Sequence, residues 1–205
     1  MIRAAVRGVG HYLPDRVVPN AEFEAIVDTS DEWIRSRSGI ERRHFAAEGQ
    51  LTSDLATRAA TAALADAGLD ATEIDAIIVA TSTPDLTFPS VATMVQNALG
   101  MTKGFAFDVQ AVCAGFVFAM ANANALILSG QATRVLVIGA AAGGSGIDLR
   151  ELLAELRKQC GVSSVLVRAA VQRDRGEAGA GQRGGDHLAG LALVAEDHRR
   201  RRLVV

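Results

Sequence analysis

One stretch of the 205-residue chain reads "FDVQAVCAGFVFAM", and within it Cys113 is the only thiol ahead of Cys160. An apolar, strand-like run gives way to a helix-like one at this cysteine. The start of a helix presents free backbone N–H groups and about half a positive charge. A thiolate is stabilised there and becomes a nucleophile, and the same N–H groups can form part of an oxyanion hole. Gly115 permits close approach of a backbone or a substrate. By themselves these residues also allow a small, inert, buried thiol, because free cysteine is among the most buried residue types.

A second pair sits earlier. Trp33 and Arg37 are four residues apart in "DTSDEWIRSRSGI", so on a helix they share one face. An indole beside a guanidinium can sandwich an adenine ring, and arginine also pairs with phosphate. The alternative is a core tryptophan next to a solvated charge. His11 and His44 read as surface or structural histidines. "GVG" at 8–10 lacks the following helix that a phosphate-binding loop needs. The four arginines at 199–202 have no interleaved aromatics and read as a solvated tail rather than a nucleic-acid site.

The elements that position these residues follow from the apolar patterning. "IRAAVRGVG" reads as a strand loosened by Gly8 and Gly10, and "DRVVPNAEFEAIV" as a helix capped by Asn20. The Trp33 segment reads as a short helix capped by Thr29 or Ser30, with Glu32 near a capping-box position and Gly39 as its stop. "LTSDLATRAATAALADAGL" is the clearest helix, capped by Thr52 or Ser53 and ended by Gly68. "IDAIIVATST" is a continuous apolar run suited to a buried strand. "PSVATMVQNALG" is a helix with Pro89 at N1 and Gly100 at C′. "GFAFDV" reads as a strand, "CAGFVFAMANANALILSG" as a helix apolar on most of its circumference and hence buried, and "ATRVLVIGA" as another buried strand. Strands alternating with helices argue for an α/β architecture with the sheet covered on both faces.

The pattern breaks near residue 140. All nine aromatic residues lie at or before Phe118; residues 1–139 carry a net charge of −5 and residues 140–205 a net of +3. Aromatics supply much of a core's buried area, so the tail is poorly equipped to form one. In it, "IDLRELLAELRKQCG" has helix formers, "VSSVLVRAAV" reads as a strand, and the Gly- and Arg-rich run that follows reads as loop or disorder. Two domains are expected: 1–139, and an atypical tail over 140–205.

Four segments, "GVGHYLPDRVVPN", "VDTSDEWIRSRSGIERRHFA", "TPDLTFPSVATMVQNALG" and "FDVQAVCAGFVFAM", resemble in order and spacing the β-ketoacyl-acyl-carrier-protein synthase III family. This is a branch of the thiolase-like condensing enzymes, and the likeness runs from about residue 2 to about residue 139. It implies the first half of a layered αβαβα fold, followed by a non-matching tail expected to be disordered. It implies that Cys113 takes the acyl group of an acyl-CoA and then undergoes decarboxylative condensation with malonyl-acyl carrier protein. Thr29, Trp33 and Arg37 then line the coenzyme A entrance, and Phe88 reaches across a homodimer interface to limit the acyl pocket.

The family's His and Asn partners and its Gly-Asp-Gly-Ala-Gly segment have no match here. His187 and His198 stand in unrelated surroundings, and the remaining 66 residues are too few for a second thiolase-like half. A frameshift or fusion after an authentic first half is the expectation, with activity limited to acyl transfer. The rivals are a starter-unit ketosynthase or acyltransferase of polyketide synthesis and a non-catalytic acyl-CoA-binding fragment. No metal, no cofactor beyond acyl-CoA as substrate, no nucleic acid and no membrane are expected. With two cysteines, no signal peptide and no apolar run long enough to span a bilayer, a cytoplasmic location is expected.

Overall fold

The structure, a computed structural model, describes residues 4–142 and 190–197. Its centre is a five-stranded sheet in the order β1-β7-β6-β4-β5. The strands are β1 (Ala4–Tyr12), β4 (Ala76–Ala80), β5 (Phe105–Val109), β6 (Arg134–Ala140) and β7 (Gly190–Asp197). β4 pairs in parallel with both β5 and β6, and β7 runs antiparallel between β6 and β1. β1, β4, β5 and β6 therefore point the same way and end at one edge. A separate two-stranded sheet joins β2 (Arg16–Pro19) to β3 (Arg42–Phe45).

Three layers result. On one face, α3 (Thr52–Ala67) and α4 (Val91–Ala98) pack Ala59, Ala63, Val91 and Val95 on Ile77, Val79, Leu136 and Ile138. On the other, α5 (Gly115–Leu128) packs Ala119, Ala123 and Ile127 on Ala76, Ile78, Val135 and Val137. Residues of β4 and β6 alternate between the two cores, as the two-residue repeat of a strand requires, and β4 is buried throughout. This is the α/β arrangement anticipated, with three layers of the layered fold.

Several local expectations change. "DRVVPNAEFEAIV" forms β2 and then only a short helix, α1 (Asn20–Glu24), because Val17 and Val18 pair with His44 and Arg43. The side chain of Asn20 is not a cap. It is 1% exposed, donates to Asp31 Oδ1 (2.8 Å) and to the Ile40 carbonyl (2.7 Å), and accepts from Arg43 Nη1 (2.8 Å). Gly8 and Gly10 do not loosen β1; they let it lie directly on α3. A Cβ at Gly8 would come within 2.5 Å of the Ala63 carbonyl oxygen, and one at Gly10 would strike the backbone of Ala59 and Ala63.

Helix α5 is also not buried all round. Its Gly115, Ala119, Ala123 and Ile127 stripe is buried, whereas Val117 (66%) and Phe118 (52%) are exposed, because no described residue covers that side. In the tail, the sequence assigns no strand to 190–197, where the structure has β7. It lies between β1 and β6 and supplies the backbone partners along the facing edges of both. The helix expected over 147–161 and the strand expected over 162–171 lie outside the described residues.

Candidate active site

The carboxyl ends of parallel strands are where open α/β sheets place their ligand sites, and the β5–α5 junction lies at that edge. After Val109 the chain passes through Gln110 and Ala111 into a 3₁₀ turn, Val112–Ala114, and α5 begins at Gly115. Cys113 stands in the middle of this turn and is exposed. The sequence puts it at the first residue of the helix; the structure puts it two residues earlier. The turn is closed by the N–H of Ala114 donating to the Ala111 carbonyl at 3.0 Å and that of Gly115 donating to the Val112 carbonyl. Val112 has φ +47°, the only positive φ at a non-glycine among the described residues. Gly115 is buried, and a Cβ there would lie 3.4 Å from Ala80 Cβ and 3.6 Å from the Val109 oxygen. These are ordinary contact distances, so the first turn of α5 lies against the ends of β4 and β5 with room for a methyl group.

Two carboxylates from other parts of the chain hold the helices of the opposite layer at the same edge. Asp108 on β5 accepts the N–H of Val91 and of Ala92, both at 2.8 Å, and so caps α4. Asp85 accepts the N–H of Ser53 at 3.1 Å and holds the start of α3. Thr52 and Ser53 were the expected side-chain caps of α3. Instead the buried Thr52 hydroxyl donates to the Thr83 carbonyl at 2.6 Å and accepts from the N–H of Ala142 at 3.1 Å. Ser90, not Pro89, stands immediately before α4, and its hydroxyl accepts the Thr93 N–H at 3.3 Å.

The loop between β4 and α4 therefore hangs between Asp85 and Asp108. Beneath it lies a cleft of about 300 Å³ lined by Thr81, Leu86, Thr87, Ser90, Asp108 and Gln110. Phe88 is on this loop, is 86% exposed, and precedes Pro89 through a cis peptide bond. Its ring is outside the core.

Thr29, Trp33 and Arg37 form a second group, on α2 (Asp31–Ser38) and its lead-in. Ser30 caps the helix by accepting the Trp33 N–H at 3.1 Å, and Gly39 ends it at φ +72°. Glu32 takes no part in a capping box; Glu24 instead accepts the Asp31 N–H at 2.7 Å. Trp33 is 46% exposed and Arg37 is exposed, with no hydrogen bond or ion pair to its guanidinium among the described residues. The core-tryptophan alternative fails on that exposure. Thr29 is half-buried.

Asn20 holds this segment in place by joining Asp31 of α2 to the Ile40 carbonyl and to Arg43 of β3. The Asn20 amide, with Arg35 beside it, holds the Asp31 carboxyl below its ordinary value against an opposing desolvation. Burial lowers Arg43, whose guanidinium lies 4.5 Å from the centre of the Phe23 ring. No hydrogen bond or ring contact joins the α2 group to the Cys113 edge among the described residues.

The sequence singled out neither Asp85 nor Asp108 nor Val112. The only available signal for Asp108 was a lone acid inside an apolar strand, a position where burial demands partners. His44 is structural: its Nδ1 lies 2.6 Å from the Pro14 carbonyl oxygen. His11 is exposed on β1, and His187 and His198 lie outside the described residues. Among the described residues no group of three or more His, Cys, Asp or Glu could hold a metal ion, and no helix is long and apolar enough to cross a membrane.

Residues 107–175 match the family model described as 3-oxoacyl-[acyl-carrier-protein (ACP)] synthase III. The β-ketoacyl-[acyl-carrier-protein] synthase III of Cereibacter sphaeroides strain ATCC 17023 is 82% identical over 139 residues, 68% of this chain and 43% of that protein. The chain thus spans less than half the length of the curated relatives it matches. Among solved structures, 3-oxoacyl-[acyl-carrier-protein] synthase III from Aquifex aeolicus is similar at TM-score 0.69 and 36% identity, over 96% of this chain and 54% of that one. A priming β-ketosynthase from a polyketide biosynthetic pathway is similar at TM-score 0.73 and 28% identity, over 95% of this chain and 50% of that one.

Proposed function

Across 68% of its length this chain belongs to the β-ketoacyl-acyl-carrier-protein synthase III family, and from that premise we propose that Cys113 accepts the acyl group of an acyl-CoA as a thioester. The observation that carries this reading is the exposed thiol on a turn at the carboxyl edge of the parallel strands, within the segment the family model matches. The Cys113 sulfur attacks the thioester carbonyl carbon, whose oxygen takes up negative charge in the tetrahedral intermediate. Backbone N–H groups of this turn and of the first turn of α5, other than those of Ala114 and Gly115 that close the turn, stabilise that charge. The bond to the coenzyme A sulfur then breaks, and coenzyme A leaves as the free thiol with the proton that Cys113 gave up.

Trp33 and Arg37 hold the nucleotide end of coenzyme A, with Thr29 beside them; both side chains are exposed and make no hydrogen bond or ion pair among the described residues, as a stacking and phosphate-pairing platform requires. In the complete cycle malonyl-acyl carrier protein loses CO₂, and the resulting carbanion attacks the Cys113 thioester to release the β-ketoacyl product. The activity we assign to this chain is the first half-reaction, which needs the thiol and not the His and Asn that stabilise that carbanion in the family. A homodimer in which Phe88 of one chain walls the acyl pocket of the other is part of the same reading. The proposed compartment is the cytoplasm, where thiols stay reduced.

Incubation of the full chain with radiolabelled acetyl-CoA tests it. Label is expected on Cys113 as a hydroxylamine-sensitive thioester and is expected to vanish in Cys113→Ser. Label that survives the substitution overturns the assignment. The likeness to a polyketide priming enzyme favours a second reading in which the primer is not a fatty acid starter. Labelling rates across acyl-CoAs of different length and branching separate the two.

A further inference from the structure

We infer that Val112 is a positioning residue for Cys113, and that its left-handed backbone sets the approach of the thiol to an acyl-CoA. The inference rests on the acyl-transfer reading of Cys113. At φ +47° a β-branched side chain is a conformational outlier, since its Cβ crowds the following peptide. Nothing local repays that cost through packing, because the Val112 side chain is 73% exposed. Ala111 before it is also outside the regular regions, at φ −144° and ψ 32°.

The strain is imposed from both ends. Upstream, β5 is held by Asp108 on α4 and by the N–H of Thr81 donating to the Val109 carbonyl at 3.2 Å. Downstream, Gly115 is buried, and Ala119 and Ala123 of α5 pack in the core with Ala76, Ile78, Val135 and Val137. The chain must pass from strand to helix between these two clamps. The turn that does so carries the nucleophile in the residue after the strained one. Strain that the surroundings over-determine, next to a reactive group, is characteristic of preorganisation rather than of fold stability. Position 112 is open to solvent, so a residue suited to positive φ would fit without steric conflict.

Single-turnover acylation of the full chain by labelled acetyl-CoA tests this, with thermal melting measured alongside. Val112→Gly releases the strain and frees the turn. It is expected to lower the limiting acylation rate about tenfold, to leave half-saturation in acetyl-CoA unchanged, and to melt no lower than the wild type. Val112→Asn, which tolerates positive φ while restricting the backbone more than glycine, is expected to keep the wild-type rate. A Val112→Gly chain that acylates at the wild-type rate overturns the inference. So does one whose rate falls only in step with a lowered melting temperature. A wild-type chain that takes no label overturns the acyl-transfer reading itself, and this inference with it.

Discussion

The Asp108 carboxylate receives the N–H of Val91 on one oxygen and that of Ala92 on the other, each at 2.8 Å. One side chain of β5 thereby satisfies two of the orphan donors of α4. It also fixes the strand leading to Cys113 against the loop that carries Phe88. A carboxylate at a helix N-terminus gains from the helix dipole as well as from the two bonds.

Removing that carboxylate leaves two N–H groups unpaired beneath the loop. Asp108→Ala is expected to cost about 2 kcal/mol of unfolding free energy. Asp108→Asn, which keeps an acceptor oxygen, is expected to lose less. Urea denaturation of the three proteins measures the difference, and equal midpoints would show that the cap contributes nothing.

Trp33 and Arg37 contribute little to stability because both are exposed. Trp33→Ala and Arg37→Ala are each expected to raise the acyl-CoA concentration for half-maximal labelling of Cys113 about tenfold. Their melting temperatures should match the wild type. The Arg37 effect should shrink at high salt as its charge is screened. A change in melting temperature without a change in half-saturation would place these residues in the fold instead of the site.

Gly10 is where β1 touches α3 most closely. Gly10→Ala would press a methyl group into the backbone of Ala59 and Ala63, neither of which can yield without moving the helix. The expected loss is about 3 kcal/mol or more, read as a lower urea midpoint. At Gly139 the nearest atom to an added Cβ is a Phe116 ring carbon at 3.0 Å. A ring can shift where a helix backbone cannot, so Gly139→Ala should cost less.

Asp31 makes stability depend on acid. The amide of Asn20 and the guanidinium of Arg35 favour its ionised form, so its folded value lies below the ordinary 3.8. Its contribution is then fully present above the unfolded value and is lost as the pH falls through the depressed folded value. Melting curves taken between pH 6 and about pH 3 should show wild type losing more stability than Asp31→Asn. Parallel pH profiles for the two would exclude a stabilising role for the ionised form.

Much of the fold was legible because its cues are local. The continuous apolar runs of β4 and β6, the small-residue periodicity of α3, and the stop signals at Gly39 and Gly68 each depend on a few neighbouring residues. The segments around Trp33 and Cys113 were legible for the same reason, since their residue types and spacing are contiguous. β2 and β3 were not, because a four-residue strand becomes one only when its partner, 23 to 29 residues away, supplies the ladder. Asn20 shows the same limit: its local pattern is that of a cap, and its three partners at positions 31, 40 and 43 outcompete that role.

By itself the sequence determined the alternation of strands and helices and the family of the first two thirds, and it singled out Cys113 as the residue on which the proposed chemistry rests. Tertiary structure alone decided that β7 fills the slot between β1 and β6 and that Asp85 and Asp108 hold two helix starts at one edge. It also decided that Cys113 rides a strained turn ahead of its helix. Those outcomes are set by where distant backbone donors and acceptors meet. A hydrogen bond between residues 108 and 91, or a φ forced positive between two clamps, leaves no periodic trace in the chain.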